Sequence, residues 1–168
     1  MSKYQIEQDL TLCIGCLACE AACKEKNSVP EGAFYCKMIS VGPRLAKGIP
    51  VTDFVYMNCF HCEQPWCVEA CPTGAMQRRG KDGIVFVEGD LCVGCKACMK
   101  ACPWGVPQWN INTGKVIKCD LCRDRIDQGL EPACTTKCTT GAIRLVTPQA
   151  ASKKKRREFA EKMLRAEK

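Results

Sequence analysis

The sequence has no apolar run near the roughly 18 residues that a membrane-spanning helix needs, so no span is predicted. The stretch Met1–Leu10 lacks the basic segment, apolar core and twin arginine of a secretory signal. The pairs Arg78-Arg79 and Arg156-Arg157 lie far inside the chain. With no address to an oxidising compartment, a disulfide framework is not predicted, and the expected location is cytoplasmic. Histidine is almost missing: His61 stands alone, which excludes Cys2His2 zinc fingers. There is no base–nucleophile constellation and no phosphate or pterin fingerprint, so no catalytic residue is assigned and the chain is read as a non-enzyme. Apolar residues other than cysteine make up only about 36% of the chain, too few for a generous core at this length.

What the sequence does have is cysteine, 17 in 168 residues, several times ordinary usage. In a chain with no route to oxidation, metal is the leading explanation. The net charge of +7 first suggests nucleic acid, but its location argues otherwise. Residues 152–168 hold eight Lys/Arg against three Glu, whereas the first 151 hold seventeen basic and fifteen acidic residues. The body carries no basic stripe, and a charged terminus is a solvated tail by default.

Sixteen cysteines fall into four groups: Cys13, Cys16, Cys19 and Cys23; Cys59, Cys62, Cys67 and Cys71; Cys92, Cys95, Cys98 and Cys102; Cys119, Cys122, Cys134 and Cys138. Cys36 is left over, in an apolar strand-like run, and is read as a small buried residue. The third group reads C-x2-C-x2-C-x3-C-P, the spacing of bacterial two-cluster ferredoxins. The first keeps that spacing, the second widens one gap to four residues and the fourth widens it to eleven. Every group ends in a C-x3-C step.

That step sets the pairing. Three thiolates from one loop wrap one 4Fe–4S cube, while the fourth cysteine lies about 6 Å further along a short helix and ligates a neighbouring cube. Groups therefore exchange their last cysteines in pairs. Cys71-Pro-Thr-Gly-Ala-Met76 matches Cys138-Thr-Thr-Gly-Ala-Ile143, so each closes an equivalent half-unit. The second and third groups then form an inner unit, and the first and fourth an outer one. The expected ligand sets are Cys13, Cys16, Cys19 with Cys138; Cys119, Cys122, Cys134 with Cys23; Cys59, Cys62, Cys67 with Cys102; and Cys92, Cys95, Cys98 with Cys71. All four clusters are fully supplied.

Zinc is the main rival, but structural zinc sites use paired knuckles rather than three cysteines at strides of three. A radical-SAM C-x3-C-x2-C motif is absent, because positions 26, 74, 105 and 141 are Lys or Gly. His61, between Cys59 and Cys62, is read as a loop residue touching a cluster sulfur or solvent. Charge changes once the ions are counted. Sixteen thiolates contribute about −16 and four oxidised cubes about +8, which brings the +7 chain near −1 and removes the case for nucleic acid.

The predicted fold class is α+β and loop-rich: two interleaved bacterial-ferredoxin-like units with short strands and helices. The outer unit spans 1–57 and 108–151, the inner one 58–107, and 152–168 form a basic C-terminal tail or helix. Helices are expected over Leu17–Lys24, Val68–Cys71 and Lys96–Ala101. Strands are expected over Tyr35–Val41, Phe54–Met57, Ile84–Val87 and Ala142–Val146. Ser28–Gly32 and Gly42–Pro50 are read as loops. In the tail, Ser152 is the expected N-cap, with Phe159, Ala160, Met163 and Leu164 as one apolar stripe.

Asn58-Cys-Phe-His-Cys-Glu-Gln-Pro-Trp-Cys-Val-Glu-Ala-Cys-Pro-Thr-Gly-Ala75 resembles the second motif of the four-cluster electron-transfer subunits of dimethyl-sulfoxide-reductase-type enzymes. Lys118-Cys-Asp-Leu-Cys-Arg-Asp-Arg-Ile-Asp-Gln-Gly-Leu-Glu-Pro-Ala-Cys134 resembles their fourth motif. The likeness covers roughly residues 3–146 and departs at Thr139, where the family usually has proline. The longer inserts or membrane anchor of periplasmic members are not read here. The resemblance implies an electron relay between a tungsten or molybdenum pterin subunit and another redox subunit or carrier. Among relatives, it is most similar to the small subunits of cytoplasmic tungsten enzymes, such as aldehyde oxidoreductases and benzoyl-CoA reductases. Partnership with a hydrogenase, formate dehydrogenase or carbon monoxide dehydrogenase, or a free-standing polyferredoxin, are the alternatives. The tail is expected to dock on the catalytic partner or, by self-association, on a second copy.

Overall fold

A computed structural model describes residues 2–166. Among these residues the sheets are all antiparallel two-stranded ribbons. β1 (Gln5–Gln8) pairs with β8 (Ile143–Val146), so the two ends of the body close on each other. β2 (Lys37–Ala46) pairs with β3 (Ile49–Met57), β4 (Met76–Arg78) with β5 (Val85–Val87), and β6 (Gln108–Asn110) with β7 (Lys115–Ile117). The helices are α1 (Ala18–Asn27), α2 (Trp66–Glu69), α3 (Ala97–Ala101), α4 (Arg123–Asp127), α5 (Ala133–Thr136) and α6 (Pro148–Ala166). This is the mixed α+β, ferredoxin-like organisation that the cysteine spacing predicts.

A repeated turn organises the chain after three of the four cysteine groups. The N–H of Gly74, Gly105 and Gly141 donates to the carbonyl of Cys71, Cys102 and Cys138 at 3.3, 3.3 and 3.1 Å. All three glycines are left-handed, at φ 66°, 63° and 64°, a region that a Cβ disfavours. Three residues further on, the side chains of Gln77, Gln108 and Arg144 donate back to the glycine carbonyls at 3.1, 2.8 and 2.9 Å. Each turn feeds a strand: β4, β6 or β8. The first group departs from the pattern, because Cys23 is followed by one more helical turn and α1 continues to Asn27.

Among the described residues, a third of the buried apolar side chains are cysteines. One buried cluster packs Cys19, Cys23, Cys36 and Cys134 with Met38, Tyr56 and Ile143. A second packs Cys98 with Met76, Val85 and Val116, so the β6–β7 hairpin closes over residues 76–98. Long-range ties include the Lys3 N–H to the Asp82 carbonyl (2.8 Å) and Asp127, which accepts from Arg79 (2.8 Å) and Lys81 (2.7 Å).

Two expectations are corrected. Gly42–Pro50 is not an open loop. β2 runs through it with a bulge between Val41 and Arg44, and turns at Lys47-Gly48, both at positive φ (51° and 81°), as a type I′ hairpin requires. Arg44 holds Asp53 across this ribbon at 2.5 Å. The C-terminal helix starts before Ser152: Pro148 opens it, and Thr147 Oγ1 accepts the Ala150 N–H at 3.2 Å. Proline at the first helical position and a threonine before it outcompete a serine one turn later. Lys154 ties the helix to Glu7 of β1 at 3.3 Å, and the Phe159, Met163 and Leu164 side chains are exposed.

Candidate metal centre

Each cysteine group begins with the same backbone device. The residue two beyond the first cysteine is left-handed in all four: Gly15 (φ 67°), His61 (46°), Gly94 (72°) and Leu121 (58°). Reversing the chain there turns successive N–H groups inward. The N–H groups of His61 and Leu121 reach Cys59 Sγ and Cys119 Sγ at 3.4 Å. Met76 and Val116 donate likewise to Cys71 Sγ and Cys92 Sγ at 3.4 Å. In the C-x2-C-x2-C groups a second left-handed residue, Leu17 or Lys96, immediately precedes α1 or α3. Glycine at 15 and 94 hints at this geometry in the sequence; leucine at 17 and 121 gives no such signal, since such residues rarely adopt it.

The thiols line distinct cavities. One is lined by Cys92, Cys95 and Cys98 together with Cys71. Another is lined by Cys59, Cys62 and Cys67 together with Cys102 and Lys118. Cys13 and Cys138 pack against the core that holds Cys19, and the Thr139 hydroxyl lies 3.6 Å from Cys16 Sγ. Asn27 Nδ2 donates to the Cys23 carbonyl at 2.9 Å and lies 3.6 Å from its sulfur. Cys36, buried as expected, has its Sγ 3.8 Å from the Cys19 carbonyl. Of the two contacts expected for His61, sulfur or solvent, the first holds through its backbone N–H to Cys59 Sγ, while its ring is buried and its Nδ1 accepts the Val85 N–H at 2.9 Å. Packing beneath β5 overrides loop exposure there.

The electrostatics suit thiolate ligation by cationic iron. Burial pushes the Cys19 and Cys134 thiols up to about 12 and those of Cys67 and Cys98 up to about 11, and drives Cys119 well above its ordinary value. A hydrogen bond with Cys36, then burial, raises Cys23, and the nearby Cys119 and Cys134 add to the effect. A deprotonated sulfur in these places needs a compensating positive charge, and a bound metal core supplies it. At Cys71 and Cys138 burial pulls the thiol upward. It is outweighed by hydrogen bonds, from the Met76 N–H and Thr73 at Cys71 and from the Ile143 N–H and Thr140 at Cys138. Four thiolates on one zinc each lie about 2.3 Å from it, and among the described residues no three His, Cys, Asp or Glu side chains converge on a single ion. The donor set, all sulfur, with three cysteines of one group and the last of another around each cavity, fits iron–sulfur cubes.

Comparison with known proteins agrees. Family models described as 4Fe-4S dicluster domains match residues 51–147 and 12–75. One subunit of the anaerobic dimethyl sulfoxide reductase of Escherichia coli (strain K12) is 39% identical over 149 residues, covering 84% of this chain and 72% of the relative. The chain belongs to the 4Fe–4S dicluster family, as an electron-transfer subunit of the dimethyl-sulfoxide-reductase type. The thiosulfate reductase electron transfer subunit PhsB of Salmonella typhi is 41% identical over 145 residues (85% and 75%). Protein NrfC of Escherichia coli (strain K12) is 42% identical over 142 residues (84% and 64%). Two dicluster regions account for four 4Fe–4S clusters. A subunit of this kind moves electrons and leaves substrate chemistry to another chain. Among the described residues no helix is long and apolar enough to cross a membrane.

Proposed function

We propose that this chain is a four-cluster wire in a cytoplasmic complex, relaying electrons between a catalytic subunit with a tungsten or molybdenum pterin and a further redox partner. The observation that carries the reading is the crossed lining of the two inner cavities: Cys71 stands with Cys92, Cys95 and Cys98, and Cys102 with Cys59, Cys62 and Cys67. Ligand exchange of this kind ties neighbouring cubes through one short helix. Electron tunnelling decays exponentially with distance, so close spacing is what a relay needs. By the same repeat, the outer sets are Cys13, Cys16, Cys19 with Cys138 and Cys119, Cys122, Cys134 with Cys23. The units are then 1–57 with 108–151, and 58–107. The exposed apolar side chains of α6 and its basic residues supply a docking element for the catalytic partner, with a second copy of the chain as the competing occupant.

The test is anaerobic purification of the complex from cells that make it. The expected preparation is brown, carries about sixteen irons per copy of this chain, four per cluster, and contains a second, larger chain with stoichiometric tungsten or molybdenum. Single-turnover reduction of the clusters by that subunit's substrate completes the case. A colourless chain with stoichiometric zinc overturns the clusters; iron without any pterin metal overturns the partner.

A further inference from the structure

Lys118 is only 3% exposed. Its Nζ donates to the carbonyls of Val85 and Cys119, the latter at 2.5 Å. Among the described residues no carboxylate pairs with it. An ammonium has three N–H donors, and a buried cation without a counter-charge is costly. The side chain lines the cavity of Cys59, Cys62, Cys67 and Cys102. It also adjoins the Cys119 end of the outer unit, and its charge opposes the burial that pushes the Cys67 and Cys119 thiols up. Val85 fixes the arrangement from both sides, its carbonyl accepting from Lys118 and its N–H donating to His61. The missing counter-charge is the cluster itself: four thiolates around an oxidised cube carry formally about −2, and one electron more makes that about −3.

We propose that Lys118 is a positioning charge for the relay, whose buried ammonium stabilises the reduced form of the cluster held by Cys59, Cys62, Cys67 and Cys102. It acts more weakly, in the same direction, on the cluster held by Cys119, Cys122, Cys134 and Cys23. Both reduction potentials are raised at the joint between the inner and outer units. The step is a one-electron reduction by a neighbouring centre. Removing the charge penalises the more negative, reduced cluster, so electrons leave that point of the wire more readily. The inference rests on the ligand assignment proposed above.

The experiment is an EPR-monitored redox titration of the full-length holoprotein and its Lys118→Met, Lys118→Gln and Lys118→Arg variants, with dithionite and mediators. The cluster lining Cys67 is identified as the signal that Cys67→Ser removes. In Lys118→Met its reduced-to-oxidised ratio at fixed potential falls at least tenfold, which is about 59 mV for a one-electron centre. The Cys119 cluster shifts less, the remaining two stay within twofold, and Lys118→Arg stays near the parent. Four unchanged potentials, or an equal shift in Lys118→Arg, overturn the role. If both neutral variants lose iron while Lys118→Arg keeps it, charge pairing is upheld in a stronger form; loss in all three shows a packing role instead and overturns it. Should Cys67→Ser remove no single signal, the ligand assignment fails, which is distinct from failure of the lysine.

Discussion

Gly94 offers the most direct test of how the cluster loops are built. It sits between Cys92 and Cys95 at φ +72°, and a Cβ there would lie 2.4 Å from the Gly114 carbonyl oxygen and 3.1 Å from the Trp109 ring. Gly32, at φ +77° with nothing within 4 Å of a Cβ, is the control. For either, an alanine pays about 1–2 kcal/mol for the left-handed backbone, offset by about 0.4–1 kcal/mol from a stiffer unfolded chain. Gly32→Ala should therefore cost about 0–1.6 kcal/mol. Gly94→Ala adds a clash with backbone of the β6–β7 turn, which cannot rotate away, and overpacking of this kind costs about 1–3 kcal/mol more. The sum, about 1–4.6 kcal/mol, corresponds to roughly 2–18 °C in a chain of this size. The assay is an anaerobic thermal scan at one fixed rate, because cluster loss makes unfolding irreversible. A Gly94→Ala melting temperature no lower than that of Gly32→Ala would refute the argument.

Three further outcomes follow from named contacts. Cys23→Ser should disturb the cluster served by Cys119, Cys122 and Cys134 and spare that of Cys13, Cys16 and Cys19, as read by EPR; Cys36→Ser should leave the iron content unchanged. Ile84→Ala, at a fully buried position, should cost about 2–5 kcal/mol, and a thermal midpoint matching the parent's would show that the site collapses without loss. Truncation after Ala151 removes the half-buried Lys154–Glu7 pair at the surface of β1, a loss of about 1 kcal/mol, so all four clusters should remain. Assembly with the catalytic subunit should weaken, more so at high salt; unchanged complex size on gel filtration would dismiss the docking role of α6.

The α+β class and the family were legible because ligand stride is local information: C-x2-C-x2-C-x3-C is written in consecutive residues. So was α1, whose expected Leu17–Lys24 lies within a residue of its observed start. Three-residue strands such as β4, β6 and β7 carry no measurable period, and their pairing depends on turns that repeat only as Cys-x-x-Gly. Gly42-Pro43 reads as a loop by composition, yet the bulge lets β2 continue past it. The environments of His61 and Lys118 were hidden for a different reason. Both are buried against Val85, which precedes Lys118 by 33 residues and follows His61 by 24, and no local pattern announces a contact across such distances.

A two-stranded ribbon is marginal alone in water, and the ribbons here share no larger sheet. Helices of four or five residues, such as α2 to α5, are equally unstable by themselves. What these short helices have in common is a cysteine within them or beside one end. The buried core contains Cys19, Cys23, Cys98 and Cys134 where an ordinary domain of this length would hold large aliphatic side chains. With neutral thiols there, the core is small and polarisable but poorly filled. With thiolates on iron, the same positions become bonds that join segments far apart in sequence. Folding free energy and cofactor binding are then one quantity, so a chelator that strips iron should abolish secondary structure in the same transition. Far-UV circular dichroism that persists after complete iron removal would separate the two and contradict this account.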